Sequence, residues 1–164
     1  MPRILFFINL IFFTGLIFFS ACKKKTFYEY DKWLKHDDAI IDQYLADSGI
    51  TNVIKSTSGL RIVIHKQGFG SFPVQGQTVR INYEGRLLDG TIFDSSYDSQ
   101  TAYQFTIGYG YVISGMDEGI QYIQERGSAT IYVPSPLGYQ GREYGNIPAN
   151  SILVFDMELL SIQK

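Results

Sequence analysis

Cysteine is almost missing from this chain. Cys22 is the only one in 164 residues, so no internal disulfide is possible. Histidine is nearly as scarce: His36 and His65 lie far apart and form no metal-ligating set with Cys22. No serine sits in a nucleophile elbow with histidine and aspartate partners. The Gly-x-Gly pieces at Gly68 and Gly108 lack the following lysine of a phosphate-binding loop. Positive charge is not in excess either. Fourteen Lys and Arg against sixteen Asp and Glu give −2 overall, which speaks against a nucleic-acid partner. No internal repeat is visible. These absences leave no cofactor or metal to expect.

Apolar residues are abundant where the chain starts. Arg3 precedes the run Ile4–Phe19, interrupted only by Asn9, Thr14 and Gly15. That is short for a membrane span and suited to the core of a signal peptide. It ends in Phe19-Ser20-Ala21-Cys22, which resembles the lipobox of bacterial lipoproteins, with Phe19 where leucine is usual. The resemblance implies a signal peptide over residues 1–21 and a lipidated Cys22 as mature N-terminus. Acyl chains would hold it in the membrane at about 0.8 kcal/mol per buried methylene. The alternatives are an uncleaved anchor, or an ordinary signal peptide with an incidental cysteine. No acidic run follows Cys22 to argue for surface export, so the expected location is a membrane anchor facing the periplasm. Lys23-Lys24-Lys25 reads as a solvated tether that can touch anionic headgroups.

All twelve tyrosines follow Cys22, whereas half of the twelve phenylalanines precede it. The region after the anchor is thus tyrosine-rich, which favours strands and aromatic-lined surfaces. Residues 22–56 divide into the tether and an amphipathic helix, expected from Asp37 to Ser48. Ile40, Ile41, Tyr44 and Leu45 form its stripe, the leading aspartates its caps and Gly49 its stop. From residue 57 to 164 the pattern is one of strands. Val79, Ile81 and Tyr83 alternate with Arg80, Asn82 and Glu84, as a half-buried strand requires. Asp89-Gly90 predicts a two-residue hairpin turn with both residues at positive φ. The returning strand ends in Asp94-Ser95-Ser96, opposite Tyr83. Tyr103–Ile107 alternates again. Met116, Ile120 and Ile123 recur at helical spacing in a short helix that Ser114 can cap and Gly127 ends. Ser128–Val133 and Ser151–Ile162 read as strands around a Gly- and Pro-rich loop, residues 134–150. Strands wrapped on one helix give an α+β fold.

Tyr83-Glu84-Gly85, Asp89-Gly90, Phe93-Asp94-Ser95-Ser96, Val112-Ile113-Ser114-Gly115, Tyr139 and Leu153-Val154-Phe155-Asp156 stand in the order and spacing of the FKBP-type peptidyl-prolyl isomerases, which the stretch Gly59–Ile162 resembles. The resemblance implies a bent, five-stranded antiparallel sheet around a short helix, here with an extra N-terminal helix. The family's catalytic positions fall on Tyr83, Phe93, Asp94 and Tyr139. Its substrate-binding positions fall on Tyr103, Val112, Ile113, Met116, Ile147 and Phe155. Tyr103 stands where phenylalanine is common, and Met116 where some members have a tryptophan floor. Gln140-Gly141 follows Tyr139 where the family has glycine directly.

Such a pocket needs no nucleophile. The C–N bond of an amide resists rotation by about 18–20 kcal/mol because resonance gives it double-bond character. Water favours the polar planar amide over the twisted one, and a dry aromatic cleft removes that preference. The resemblance implies that the Tyr139 hydroxyl and the Ile113 N–H orient substrate carbonyls. It leaves two roles open for Asp94, beside the twisting carbonyl or as partner of Tyr83. The expected partners are proline-containing polypeptides among exported proteins, and macrolide inhibitors. The competing reading is a non-catalytic FKBP-like module that holds or recruits a partner through the same cleft.

Overall fold

The computed structural model describes residues 28–98 and 101–163; the signal and lipobox stretch, with Cys22 and the lysine tether, lies outside them. In chain order the elements are helix α1 (Tyr30–Asp47), strands β1 (Ile54–Lys55), β2 (Arg61–Lys66), β3 (Thr78–Leu87), β4 (Ile92–Ser95) and β5 (Tyr103–Thr106), helix α2 (Ser114–Gly119), and strands β6 (Ser128–Val133) and β7 (Leu153–Gln163). Two 3-10 turns, Ile120–Tyr122 and Ser135–Leu137, follow α2 and β6.

The alternation of Val79, Ile81 and Tyr83 makes β3 the strand on which the sheet turns: these side chains are buried. Along one edge β3 pairs with β7 from Thr78↔Gln163 to Leu87↔Leu153. Its other edge is divided. β5 takes Thr78–Ile81 and β4 takes Glu84–Arg86. The full order is β1-β2-β6-β7-β3-β4, with β5 beside β3 and every pairing antiparallel. The α+β class and the sheet expected from the resemblance are therefore present. Among the described residues seven strands appear, because β4 and β5 share one sheet position and the two-residue β1 adds to the outer edge of β2. Register shifts between Ile64 and Lys66, Arg80 and Ile81, and Gly85 and Arg86 introduce the bulges that bend such a sheet.

The concave face closes on α2. Gly115 and Gly119 lie so close to Val133 and Ile131 of β6 that a Cβ on either would overlap those side chains. Met116, Ile120 and Ile123 complete a core with Ile62, Ile81 and Phe155. Ser114 is the first helical residue and makes no cap; Ile113 is the N-cap, in extended conformation without a side-chain bond.

The opposite face carries a second core of Ile41, Leu45, Val63, Tyr132, Ile152 and Val154, over which α1 lies. Full burial of side chains such as Ile41 contributes about 1.5–3 kcal/mol each. That secures a helix which would be marginal alone in water. α1 starts seven residues before the expected Asp37, and Asp37 and Asp38 are not its caps. Asp37 is buried within the helix on the same side as Ile41 and Leu45. A charge on the buried stripe reads in sequence as a helix end, which is why the first two turns escaped. Ile40, expected on the stripe, is exposed. The middle of the helix is fastened by Arg61, itself 1% exposed: Nη1 donates to Asp38 at 2.7 Å and Nε to Asp42 at 2.8 Å.

The β3–β4 connection also differs from expectation. Gly90 has φ +90°, but Asp89 is not among the residues at positive φ. Gly90 N–H donates to Leu87 O and Leu87 N–H to Thr91 O. The loop is one residue longer than a two-residue hairpin, with the glycine alone in the left-handed region, as in a turn closed by a glycine bulge. Asp89 accepts from Thr91 N–H at 2.9 Å, which holds its carboxyl below the ordinary value.

Candidate active site

The β3–β4 hairpin sets one wall. Its end is locked at Tyr83, whose N–H donates to Ser96 Oγ at 2.8 Å and whose carbonyl accepts from Ser96 N–H at 2.9 Å. The Tyr83 hydroxyl donates to Asp94 Oδ2 at 2.6 Å. Of the two roles open for Asp94, the structure shows the contact with Tyr83. Burial, reinforced by the Asp94 carboxylate, pushes the Tyr83 phenol well above its ordinary value, so it remains a donor.

The floor and second wall come from later in the chain. Phe155 pairs opposite Gly85 across β3 and β7. Its ring meets Phe93 edge-to-face at 5.7 Å and lies 6.3 Å from Tyr83. Tyr103 meets Tyr83 edge-on at 5.8 Å. Val112 and Ile113 lead into α2, and Met116 follows one turn later, 6% exposed. Tyr139 closes the cleft from the segment after the 3-10 turn Ser135–Leu137. Burial, with Tyr144 and Asp94 nearby, also raises the Tyr139 phenol.

These side chains enclose a cleft of about 190 Å³, lined by Tyr83, Phe93, Asp94, Tyr103, Val112, Ile113, Met116, Tyr139 and Phe155. Ile147 lines an adjoining hollow of about 270 Å³ that shares Phe93, Asp94 and Tyr139 with the cleft. All ten residues singled out in the sequence thus gather in one region. The sequence reading missed two more. Tyr111 lines the cleft, and Tyr144 lines the hollow and stacks on Tyr139 at 4.6 Å. The tyrosine surplus was their only signal, and it does not say which tyrosines converge. Gln140, which follows Tyr139, has φ +59°, the left-handed region that favours glycine.

Chemically the site is an apolar aromatic slot with hydrogen-bond donors at its rim. The Tyr139 hydroxyl and the Ile113 N–H have no hydrogen-bond partner among the described residues. An extended polypeptide could offer carbonyls to both while a compact ring enters the slot.

A bent antiparallel sheet closed on a short helix, with an aromatic cleft between them, defines a class of domain, and comparison with known proteins identifies it. The family model for FKBP-type peptidyl-prolyl cis-trans isomerases matches residues 70–160. A protein from Neisseria meningitidis serogroup B named as a probable FKBP-type peptidyl-prolyl cis-trans isomerase FkpA is 41% identical over 123 residues, covering 74% of this chain and 44% of that protein. A shorter protein from Neisseria meningitidis serogroup A, named FK506-binding protein, is 40% identical over 98 residues, covering 59% of this chain and 90% of that one. The crystal structure of FkpA from Escherichia coli superposes with a TM-score of 0.68 at 31% identity, over 81% of this chain and 64% of that one. The chain belongs to the FKBP-type peptidyl-prolyl cis-trans isomerase family. It spans less than half the length of the FkpA relative from Neisseria.

Proposed function

We propose that this protein is a prolyl isomerase acting on proline-containing segments of exported polypeptides, held at a membrane by lipid on Cys22. The observation that carries the isomerase reading is the convergence of four rings, Tyr83, Phe93, Tyr103 and Phe155, on an apolar slot rimmed by the Tyr139 hydroxyl. In the proposed mechanism the pyrrolidine ring enters the slot between Phe93, Phe155, Val112 and Ile113. Water is excluded from the amide, so the planar form loses its advantage in solvation. Tyr139 and the Ile113 N–H hold the flanking carbonyls while the C–N bond turns. Asp94 keeps Tyr83 in place as the hairpin wall. No bond is made or broken to the protein.

The test is an X-Pro isomerisation assay on the full chain in detergent, against an uncatalysed relaxation of about 10–100 s. Acceleration is expected, with Phe93→Ala reducing it at least about tenfold. A rate equal to that of buffer, with retained binding of proline peptides, would favour the holding module instead. Support for the anchor rests on the residue pattern 1–22; no helix among the described residues is long and apolar enough to cross a membrane. Cys22→Ser is expected to move the protein from the membrane to the soluble fraction.

A further inference from the structure

Asp37 is 1% exposed, and the mechanism above makes no use of its carboxylate. A buried carboxylate is costly unless hydrogen bonds compensate it. Here Oδ2 accepts from both the backbone N–H of Ser135, at 2.7 Å, and its Oγ–H, at 2.5 Å. Oδ1 lies 3.0 Å from His36 Nδ1. Ser135 is itself fully buried, and its Oγ lies 3.1 Å from the Tyr28 hydroxyl.

Ser135 is the hub of the segment that carries Tyr139. Its carbonyl accepts from Gly138 N–H at 3.1 Å and from Gln140 N–H at 3.0 Å, the residues on either side of Tyr139. Gln140 stands in the left-handed region, a strained conformation that a non-glycine residue keeps only where its surroundings impose it. The bond to Ser135 and the one from Asn150 N–H to Gln140 O, at 2.7 Å, impose it. Fixing Ser135 therefore fixes both neighbours of Tyr139.

We propose that Asp37 is a positioning residue for Tyr139, holding from helix α1 the turn that sets this hydroxyl at the rim of the cleft; the inference rests on the isomerase reading and assigns α1 a part in it. Docking the helix does not by itself require a buried carboxylate. Ile41 and Leu45 pack in the second core, and Arg61 binds Asp38 and Asp42. Asp37 alone among these aspartates reaches the turn before Tyr139.

The experiment is a double-mutant cycle on kcat/KM in the full chain, with Asp37→Ala, Tyr139→Phe and the pair. Misplacement on the ångström scale can cost about 100-fold, and Asp37→Ala is expected to lose about 10–100-fold. The pair is expected to lose no more than Tyr139→Phe alone, because a misplaced hydroxyl and a missing one are equivalent. Asp37→Asn, which keeps an acceptor for Ser135, is expected to recover most of the rate. Losses that multiply in the double variant, or Asp37→Ala at the wild-type rate, would overturn the proposal. If Asp37→Ala does not fold, Asp37→Leu, which fills the buried space but offers Ser135 no acceptor, replaces it in the cycle with the same two outcomes. Absence of turnover in the wild type would sink the isomerase reading separately. The ¹⁹F resonance of a fluorotyrosine at position 139 would then decide: a shift in Asp37→Ala supports positioning, and an unchanged line refutes it.

Discussion

Gly85 lies directly against the ring of Phe93: a Cβ at position 85 would stand 2.6 Å from Phe93 Cε2 and 2.9 Å from Phe155 Cε1. The backbone at Gly85 is not left-handed, so the glycine is required for space and not for conformation. Gly85→Ala is expected to displace Phe93 from the slot while leaving β3 paired with β7. Isomerase activity should fall by about tenfold or more, as misplacement in a packed site predicts. Full activity in Gly85→Ala would show that the Phe93 ring is not part of the slot.

Tyr83 and Asp94 give a second prediction. Tyr83→Phe removes a hydrogen bond to a carboxylate, of the kind that contributes about 1.5–3 kcal/mol. Its effect on activity should match that of Asp94→Ala, which removes the acceptor, if the two act as a unit. The raised Tyr83 phenol also sets an alkaline limit. The folded protein keeps this proton at a pH where the unfolded chain has lost it. The stabilisation is thus complete below the ordinary value of 10.0 and is lost as pH rises beyond it. Urea melts from pH 9 upward should show a shallower decline in Tyr83→Phe than in wild type.

Arg61 predicts the opposite limit. Burial acts to raise the Asp42 carboxyl, but its bonds to Arg61 and Lys55 outweigh this and leave it below its ordinary 3.8. Its stabilisation is present above that value and is lost as pH falls below it. Arg61→Ala should destabilise the fold by ~3 kcal/mol, the lower end for breaking a buried pair, since Asp42 is half exposed. It should also flatten the acid limb of the stability curve. Denaturant melts between pH 3 and 6 measure both effects.

One relative is named FK506-binding protein, which makes FK506 the macrolide to test against the cleft. FK506 at 100-fold its Kd should stabilise the full chain by about 2.7 kcal/mol in a thermal melt. Met116 gives the cleft a soft, apolar base, and Met116→Trp is expected to tighten the complex. No change in melting at saturating drug would exclude this ligand.

The hairpin wall was legible in the sequence because its signals are local. Alternation places Tyr83 inward, and Asp94 and Ser96 lie within reach of it across one turn. The family order then linked Phe93 to Ile113, Tyr139 and Phe155, which no periodicity connects. What could not be read depends on partners distant in the chain. Asp37 resembled a helix cap because its partner, Ser135, lies 98 residues away. Gly85 appeared in a motif, but its necessity comes from rings on two other strands. The left-handed Gln140 is a non-glycine residue whose conformation is imposed from outside, by Ser135 and Asn150.

The divided edge of β3 carries one more consequence. Where β3 ends its pairing with β5 and begins with β4, no continuous outer strand forms; each piece has four residues, and β1 at the far side has two. Long unpaired strand edges invite other chains to add to the sheet and aggregate. A protein that meets unfolded polypeptides at high local concentration is most exposed to that hazard. Under the function proposed above, borders cut this short would let the domain grip a client by a proline ring without being recruited into the client's own misfolding.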